Sequence, residues 1–243
     1  MNLQAITIDF WNTIYDSTGG FDRNAYRQRC LIEEIDKHGL FIMGDEINKS
    51  IEATWAFFEK AWKEEHRTPS TVESITFLFN YLKLPLEDFS VNKVANAFAD
   101  SVLVHPPQLL PDAKDSIQKL SSKYKLGLIS DTGFSPGTIL KELMIRDGIA
   151  NHFTSFSFSD ETGVSKPHSL AYLTALNQLK IDPINALHIG DIEHTDILGA
   201  KNFGMKAIRI KADKTSHFAA NSPENTIADF DLSSWKEILD LLM

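Results

Sequence analysis

Residues 3–13 read LQAITIDFWNT. The first eight, LQAITIDF, are a short run rich in apolar and β-branched side chains, which predicts a buried strand ending near the acidic Asp9. The same arrangement recurs down the chain. KLGLIS (125–130) is followed by Asp131, FTSFSF (153–158) by Asp160, and ALHIG (186–190) by Asp191, and KAIRI (206–210) forms a fifth run. Amphipathic segments lie between these runs. One carries Ala113, Ile117 and Leu120, one is capped by Ser135-Pro136, one lies near 168–180, and one ends near Gly204. A last helix carries Trp235, Ile238, Leu239 and Leu242. Short apolar strands alternating with amphipathic helices predict an α/β fold with a parallel, Rossmann-like sheet. In such sheets ligands sit beyond the carboxyl ends of the strands, so chemistry is sought in the residues just after them.

Between the first two strands the pattern changes. After Ser17-Thr18-Gly19-Gly20, Ile47, Ile51, Trp55, Phe58 and Trp62 recur at three- and four-residue steps. This spacing gives one apolar helix face. Ser70 and Glu73 form a capping-box signature, and Val91, Val94, Phe98 and Val102 repeat the helical spacing. No strand is predicted from Asp22 to Leu103. The expected division is a core of residues 1–16 and 104–243 with an inserted α-helical subdomain over 17–103.

Composition bounds the function. A chain of 243 residues with 43% hydrophobic content can bury a sizeable core, and a net charge of −9 argues against non-specific nucleic-acid binding. Cys30 is the single cysteine, so no intrachain disulfide forms and a reducing cytoplasm fits. MNLQAITIDFWNTIYD does not read as a signal peptide, and no run reaches the ~18 apolar residues of a membrane span. The expected partner is a small molecule, with no nucleic acid and no membrane; the oligomeric state is left open.

The strand ends carry carboxylates, hydroxyls and a lysine. Asp9, Asn12 and Thr13 follow the first strand, Ser130 and Asp131 close the second, Lys166 lies in the loop after the third, and Asp191, Glu193 and Asp196 follow the fourth. Two carboxylates can hold Mg²⁺, a hard cation that prefers oxygen. Lys166 and Ser130 supply charge and a donor to a phosphoryl oxygen. Asp9 can attack, because a carboxylate can form a covalent intermediate.

These residues resemble the motifs of the haloacid dehalogenase-like hydrolase superfamily: DFWNT (9–13), LGLIS (126–130), GVSKP (163–167) and GDIEHTD (190–196), in that order. The helical insert is similar to the family's cap over small substrates. The resemblance implies Asp9 as nucleophile, with Mg²⁺ held by Asp9, Asp191 and the backbone carbonyl of Trp11. It implies Ser130 and Lys166 as the phosphate-binding pair, with Asp131 beside them. Lys166 would also restrain Asp9, Thr13 would brace the nucleophile loop, and Asp196 would orient the lysine or a metal-bound water. The implied reaction is Mg²⁺-dependent hydrolysis of a small phosphorylated metabolite through an aspartyl-phosphate.

Trp11 departs from that pattern. Phosphatases of the family usually carry a second aspartate there, which protonates the leaving group and later activates water. Indole can do neither. Asp16, Asp131 and Glu193 are the first candidates to replace it. Relatives without that acid include dehalogenases and phosphonate-cleaving enzymes, so haloacid or C–P hydrolysis is the alternative chemistry. A catalytically weak member acting as a binding protein is the alternative from another class. Of the other residues, Asp131 reads as a turn residue rather than a catalyst, His188 as a core histidine, and Trp55 and Trp62 as helix core.

Overall fold

The computed structural model describes residues 2–87, 89–213 and 223–243. Its centre is a six-stranded sheet in the order β3-β2-β1-β4-β5-β6. The strands are β1 (Ala5–Ile8), β2 (Lys125–Ser130), β3 (Phe153–Phe158), β4 (Ala186–Gly190), β5 (Lys206–Ile210) and β6 (Phe230–Leu232). Every neighbouring pair is parallel, with Ile8 level with Leu128 on one side and Ile189 on the other. The strand order reverses at β1, so its carboxyl end lies at the switch point where crossovers to the two sides part and leave a crevice.

The strands form where the sequence is apolar on both faces. Ala5, Ile6 and Ile8 are fully buried, as are Leu126, Leu128, Ile189 and Ile208. Burial of this kind contributes roughly 1.5–3 kcal/mol per large side chain. α5 (Ala113–Ser121) and the last helix (Trp235–Leu242) cover one face, and α8 (Ser169–Leu179) packs on β2 and β3. α6 (Gly137–Arg146) and the short α7 (Ser159–Thr162) and α9 (Gly199–Asn202) complete this part.

Between β1 and β2 lie α1 (Gly20–Lys37), α2 (Gly44–Glu64), α3 (Thr71–Tyr81) and α4 (Val91–Val104), and no strand falls among the described residues there. These helices have an apolar cluster of their own, including Leu31, Ile51, Leu78, Phe79 and Phe98. Phe134, from the loop after β2, joins this cluster and ties it to the sheet part. No helix among the described residues is long and apolar enough to cross a membrane.

Four details depart from the sequence reading. Ser135 does not cap α6; its hydroxyl donates to the Ala99 carbonyl at 2.7 Å and pins α4 to the loop instead. The first strand is shorter than the apolar run, because Asp9 turns out of the ladder after its N–H reaches the Ile189 carbonyl. The segment after β4 opens with a π-helical turn, Glu193–Leu198, a wide turn often found at functional sites. β6 carried no apolar signal: Phe230, Asp231 and Leu232 form a partly exposed edge strand.

Candidate active site

Asp9 leaves β1 between the ends of β2 and β4 and is 6% exposed. The Lys166 ammonium donates to Asp9 Oδ1 and, at 2.6 Å, to Asp196 Oδ1. Asp196 is held from further sides. Its Oδ2 accepts from the Ile192 N–H at 3.0 Å, and its Oδ1 meets His188 Nε2 at 3.1 Å. His188 Nδ1 in turn meets the Thr7 hydroxyl at 2.8 Å. Gly190 is required beside this group, since a Cβ there would lie 2.4 Å from Asp196 Cγ.

Burial sets the charge balance. It pushes the Asp9 carboxyl up to about 7 against the pull of Lys166. It raises Asp191 well above the carboxylate range, helped by the nearby Asp196 and Asp9. Asp196 goes the other way: burial opposes ionisation, but Lys166 and His188 together hold it low. Lys166 is likewise held charged against burial by Asp196, Asp9 and Asp131. Two buried carboxyl groups, Asp9 and Asp196, and two half-buried ones, Asp131 and Asp191, thus face one ammonium, an excess of negative charge that a cation or protonation of Asp9 and Asp191 would relieve.

The residues fit such a cation. Carboxylate oxygens of Asp9, Asp191 and Asp196 lie within 4.8 Å of one another. Asp191 Oδ2 is buried and has no hydrogen-bond partner among the described residues. The donor set is all oxygen, which suits Mg²⁺. Both oxygens of Asp196 already serve Lys166, His188 and the Ile192 N–H, so Asp9 and Asp191 are the freer pair.

A cavity of about 500 Å³ opens above these groups, between the strand ends and α1 and α2. Asp9, Trp11, Asp131, Lys166, Asp191 and Asp196 line its floor. Ser130 and Thr13 are not among the lining residues. The Ser130 hydroxyl donates to the Asp131 carbonyl at 3.3 Å, and the Thr13 hydroxyl is buried without a partner among the described residues. The brace expected of Thr13 comes instead through its carbonyl, which accepts from Trp235 Nε1 at 2.7 Å. Glu193 is occupied by Arg209, Thr226 and the Ile227 N–H, and Asp16 by Thr18 and the Gln108 N–H. Of the three candidates to replace the acid missing at Trp11, Asp131 alone lines the cavity.

Two readings change with the structure. Asp131 is more than a turn residue: Oδ1 accepts from the Lys166 N–H at 2.9 Å and Oδ2 from Trp62 Nε1 at 2.8 Å. It joins α2 to the lysine loop. Trp55 and Trp62 are half-buried and line the cavity, where helix core was expected. The Trp55 ring also meets Phe134 at 4.5 Å, so it serves packing and cavity at once. His188 is buried as expected, but its role is to hold Asp196. A polar ring inside an otherwise apolar strand was the one signal for that. Arg23 and Arg27, 7% and 6% exposed, line the cavity from α1 and went unassigned in the sequence.

A carboxylate at the switch point is thus held by a lysine beside an acidic cluster, under the helices inserted between β1 and β2. The chain belongs to the haloacid dehalogenase-like hydrolase family, whose pattern matches residues 3–204. It is 30% identical to the glyceraldehyde 3-phosphate phosphatase of Methanothermobacter thermautotrophicus, over 98% of this chain and 100% of the relative. In fold it resembles a 2-haloacid dehalogenase from Pseudomonas syringae pv. Tomato, with a TM-score of 0.71, 20% identity, and 99% and 98% of the two chains covered. A HAD phosphatase from Thermococcus onnurineus superposes with a TM-score of 0.69 at 20% identity, again over 99% and 98%.

Proposed function

We propose that this hydrolase is a Mg²⁺-dependent phosphatase of a small phosphorylated metabolite, with Asp9 as nucleophile and the helical block 17–103 as its cap. The observation that carries the reading is the pairing of Asp9 with Lys166 beside the unpartnered Asp191 oxygen. The phosphatase relative that spans the whole chain supports it.

Asp9 Oδ attacks phosphorus as the bond to the leaving oxygen breaks, which leaves an aspartyl-phosphate and an alcohol or its anion. Water then attacks phosphorus, the Asp9–phosphate bond breaks, and phosphate departs with the carboxylate restored. Asp9, Asp191 and the Trp11 carbonyl would hold Mg²⁺, which would offset repulsion between the carboxylate and the anionic substrate. Lys166 aims Asp9 and offers positive charge to the phosphoryl oxygens, while Asp196, fixed by His188, keeps the lysine charged. Ser130 would complete the phosphate site by turning its hydroxyl from the Asp131 carbonyl. Asp131 keeps the Lys166 loop against α2. Trp11 supplies no proton, so substrates with good leaving groups are favoured.

The test is a panel of aryl, acyl and alkyl phosphates together with 2-haloacids, with and without Mg²⁺. Phosphate release that requires Mg²⁺ is the expected result. Halide release without metal would replace the proposal with dehalogenation. No turnover of any class would point to a binding protein.

A further inference from the structure

Arg23 and Arg27 stand one helical turn apart on α1, both more than nine-tenths buried and both on the cavity wall. Neither makes an ion pair among the described residues; Asp16 and Asp22 lie near enough to Arg23 to favour its charge, whereas Arg27 feels only burial and the charge of Arg23. Glu59, which lines the rim of the same cavity, is taken by Lys63 at 2.9 Å. Arg23 Nη1 donates to the carbonyls of Thr18 and His105 at 2.8 and 3.1 Å. Arg27 Nε donates to the Ser101 hydroxyl at 3.0 Å, and its Nη1 to Asn24 Oδ1 at 2.9 Å. Arg23 Nε and Nη2 and Arg27 Nη2 make no hydrogen bond among the described residues, and none of them is a sealed orphan.

A buried guanidinium without a counter-ion is costly. Here neutral partners and aromatic faces supply part of the compensation. The Arg23 guanidinium lies 5.7 Å from the Trp11 ring centre, and Arg27 lies 4.8 Å from that of Phe134. Burial, followed by the charge on Arg23, pulls Arg27 down to about 9, so it stays charged at neutral pH. The charge on Arg23 disfavours the charge on Arg27, and an anion in the cavity that both line would relieve that repulsion. Trp11, which stands where the family's acid is expected, is the platform on which Arg23 rests.

We propose that Arg23 and Arg27 form the receptor for a second anionic group on the substrate, so that the enzyme acts on small phosphates that also carry a carboxylate or another oxyanion. The proposal rests on the phosphatase reading for the phosphoryl end alone. Lys166 and the acidic floor take that end, and the arginine forks take the far end. The aromatic side chains of Trp55, Phe58 and Trp62 line the wall between them. Glyceraldehyde 3-phosphate, named for the archaeal relative, lacks a second anion; its oxidised counterpart, 3-phosphoglycerate, has one.

The experiment compares matched pairs in the whole protein with saturating Mg²⁺. 4-Carboxyphenyl phosphate is set against its neutral methyl ester for turnover, and 3-phosphoglycerate against glyceraldehyde 3-phosphate for binding by calorimetry. Charged hydrogen bonds of this kind predict roughly 10–100-fold higher kcat/KM, and tighter binding, for the acid of each pair. Arg27→Met and Arg23→Met should each shrink that ratio towards one, read on folded protein by its melting profile. A purely structural role would instead lower both members of a pair together and leave the ratio intact. Equal handling of acid and neutral partner by the natural protein overturns the proposal, whether or not the variants fold. Tighter 3-phosphoglycerate binding without any phosphate release would sustain the anion receptor and reject the phosphatase. A panel of distal phosphonates and carboxylates then separates the two kinds of oxyanion.

Discussion

At the sheet end of the cavity the charged groups are bound to one another: Asp9 to Lys166, Lys166 to Asp196, Asp196 to His188. On the wall formed by α1 and α2 they are bound to carbonyls, hydroxyls and aromatic faces, and the two arginines lack ion-pair partners among the described residues. The floor is a self-consistent network whose one excess, negative charge, calls for a cation. The wall carries the opposite excess and calls for an anion. A substrate that brings a phosphate and a second acid, together with a divalent cation, balances both. The bond from Trp62 to Asp131 ties α2 to the floor, as the Arg23 guanidinium over the Trp11 ring ties α1 to it. On the proposed reading the site divides its work, with bond-breaking groups at strand ends and recognition on helices that have an apolar cluster of their own.

Substitutions can pull this division apart. Asp9→Asn removes the proposed nucleophile and should lower turnover by about 10⁴-fold or more while the protein still melts cooperatively. Steady-state assay of protein purified apart from host phosphatases checks this, and activity near the natural level would remove Asp9 from its role. Asp191→Ala should weaken Mg²⁺ binding on the order of 100-fold and lower metal-dependent turnover with it. Calorimetric titration reads the affinity, and an unchanged value would reassign the ligand.

Trp11→Asp tests the boundary itself, because it places an acid on the floor and removes the platform of Arg23. General acid–base help is typically worth ~10²–10⁴-fold, and the gain should fall on alkyl phosphates more than on aryl ones. In the natural enzyme, rapid mixing with labelled substrate should reveal an accumulating phosphoenzyme. Efficient alkyl hydrolysis by the natural protein would instead make Asp131 the proton donor. Trp62→Phe cuts the tie between wall and floor, with an expected loss of about 1 kcal/mol in stability. KM should rise a few-fold with little change in kcat, and a fall in kcat alone would mean that the tie serves the chemistry.

Much of the floor was legible because it is written locally. Each strand is a short apolar run, and each chemical residue follows such a run within a few positions. Asp9 and Asp191 were found in this way, Lys166 and Asp196 from the motifs in the loops beyond, and the cavity gathers all four. The Thr13 and Ser130 hydroxyls were legible as motif positions, but the directions in which they point were not. β6 was missed because an edge strand is paired on one side and needs little apolar sequence. The π-helical turn was missed because no hydrophobic periodicity records it.

The wall was opaque for a different reason. The helical periodicity around Trp55 and Trp62 marks an apolar face, and it is the same whether that face meets another helix or a cavity. Long-range partners separated the cases: Trp62 reaches Asp131, 69 residues on, and Trp235 reaches the Thr13 carbonyl 222 residues back. From the chain alone came the alternation of strands and helices, the helical insert and the order of the acidic strand ends, since these follow from hydrophobic period and chain order. Folding decided that Asp131 would anchor α2, that His188 would hold Asp196, and that Arg23 and Arg27 would be buried without an ion pair among the described residues. Those outcomes depend on which distant groups pack together and how much water they exclude, and burial is what sets these two apart from an ordinary helix arginine.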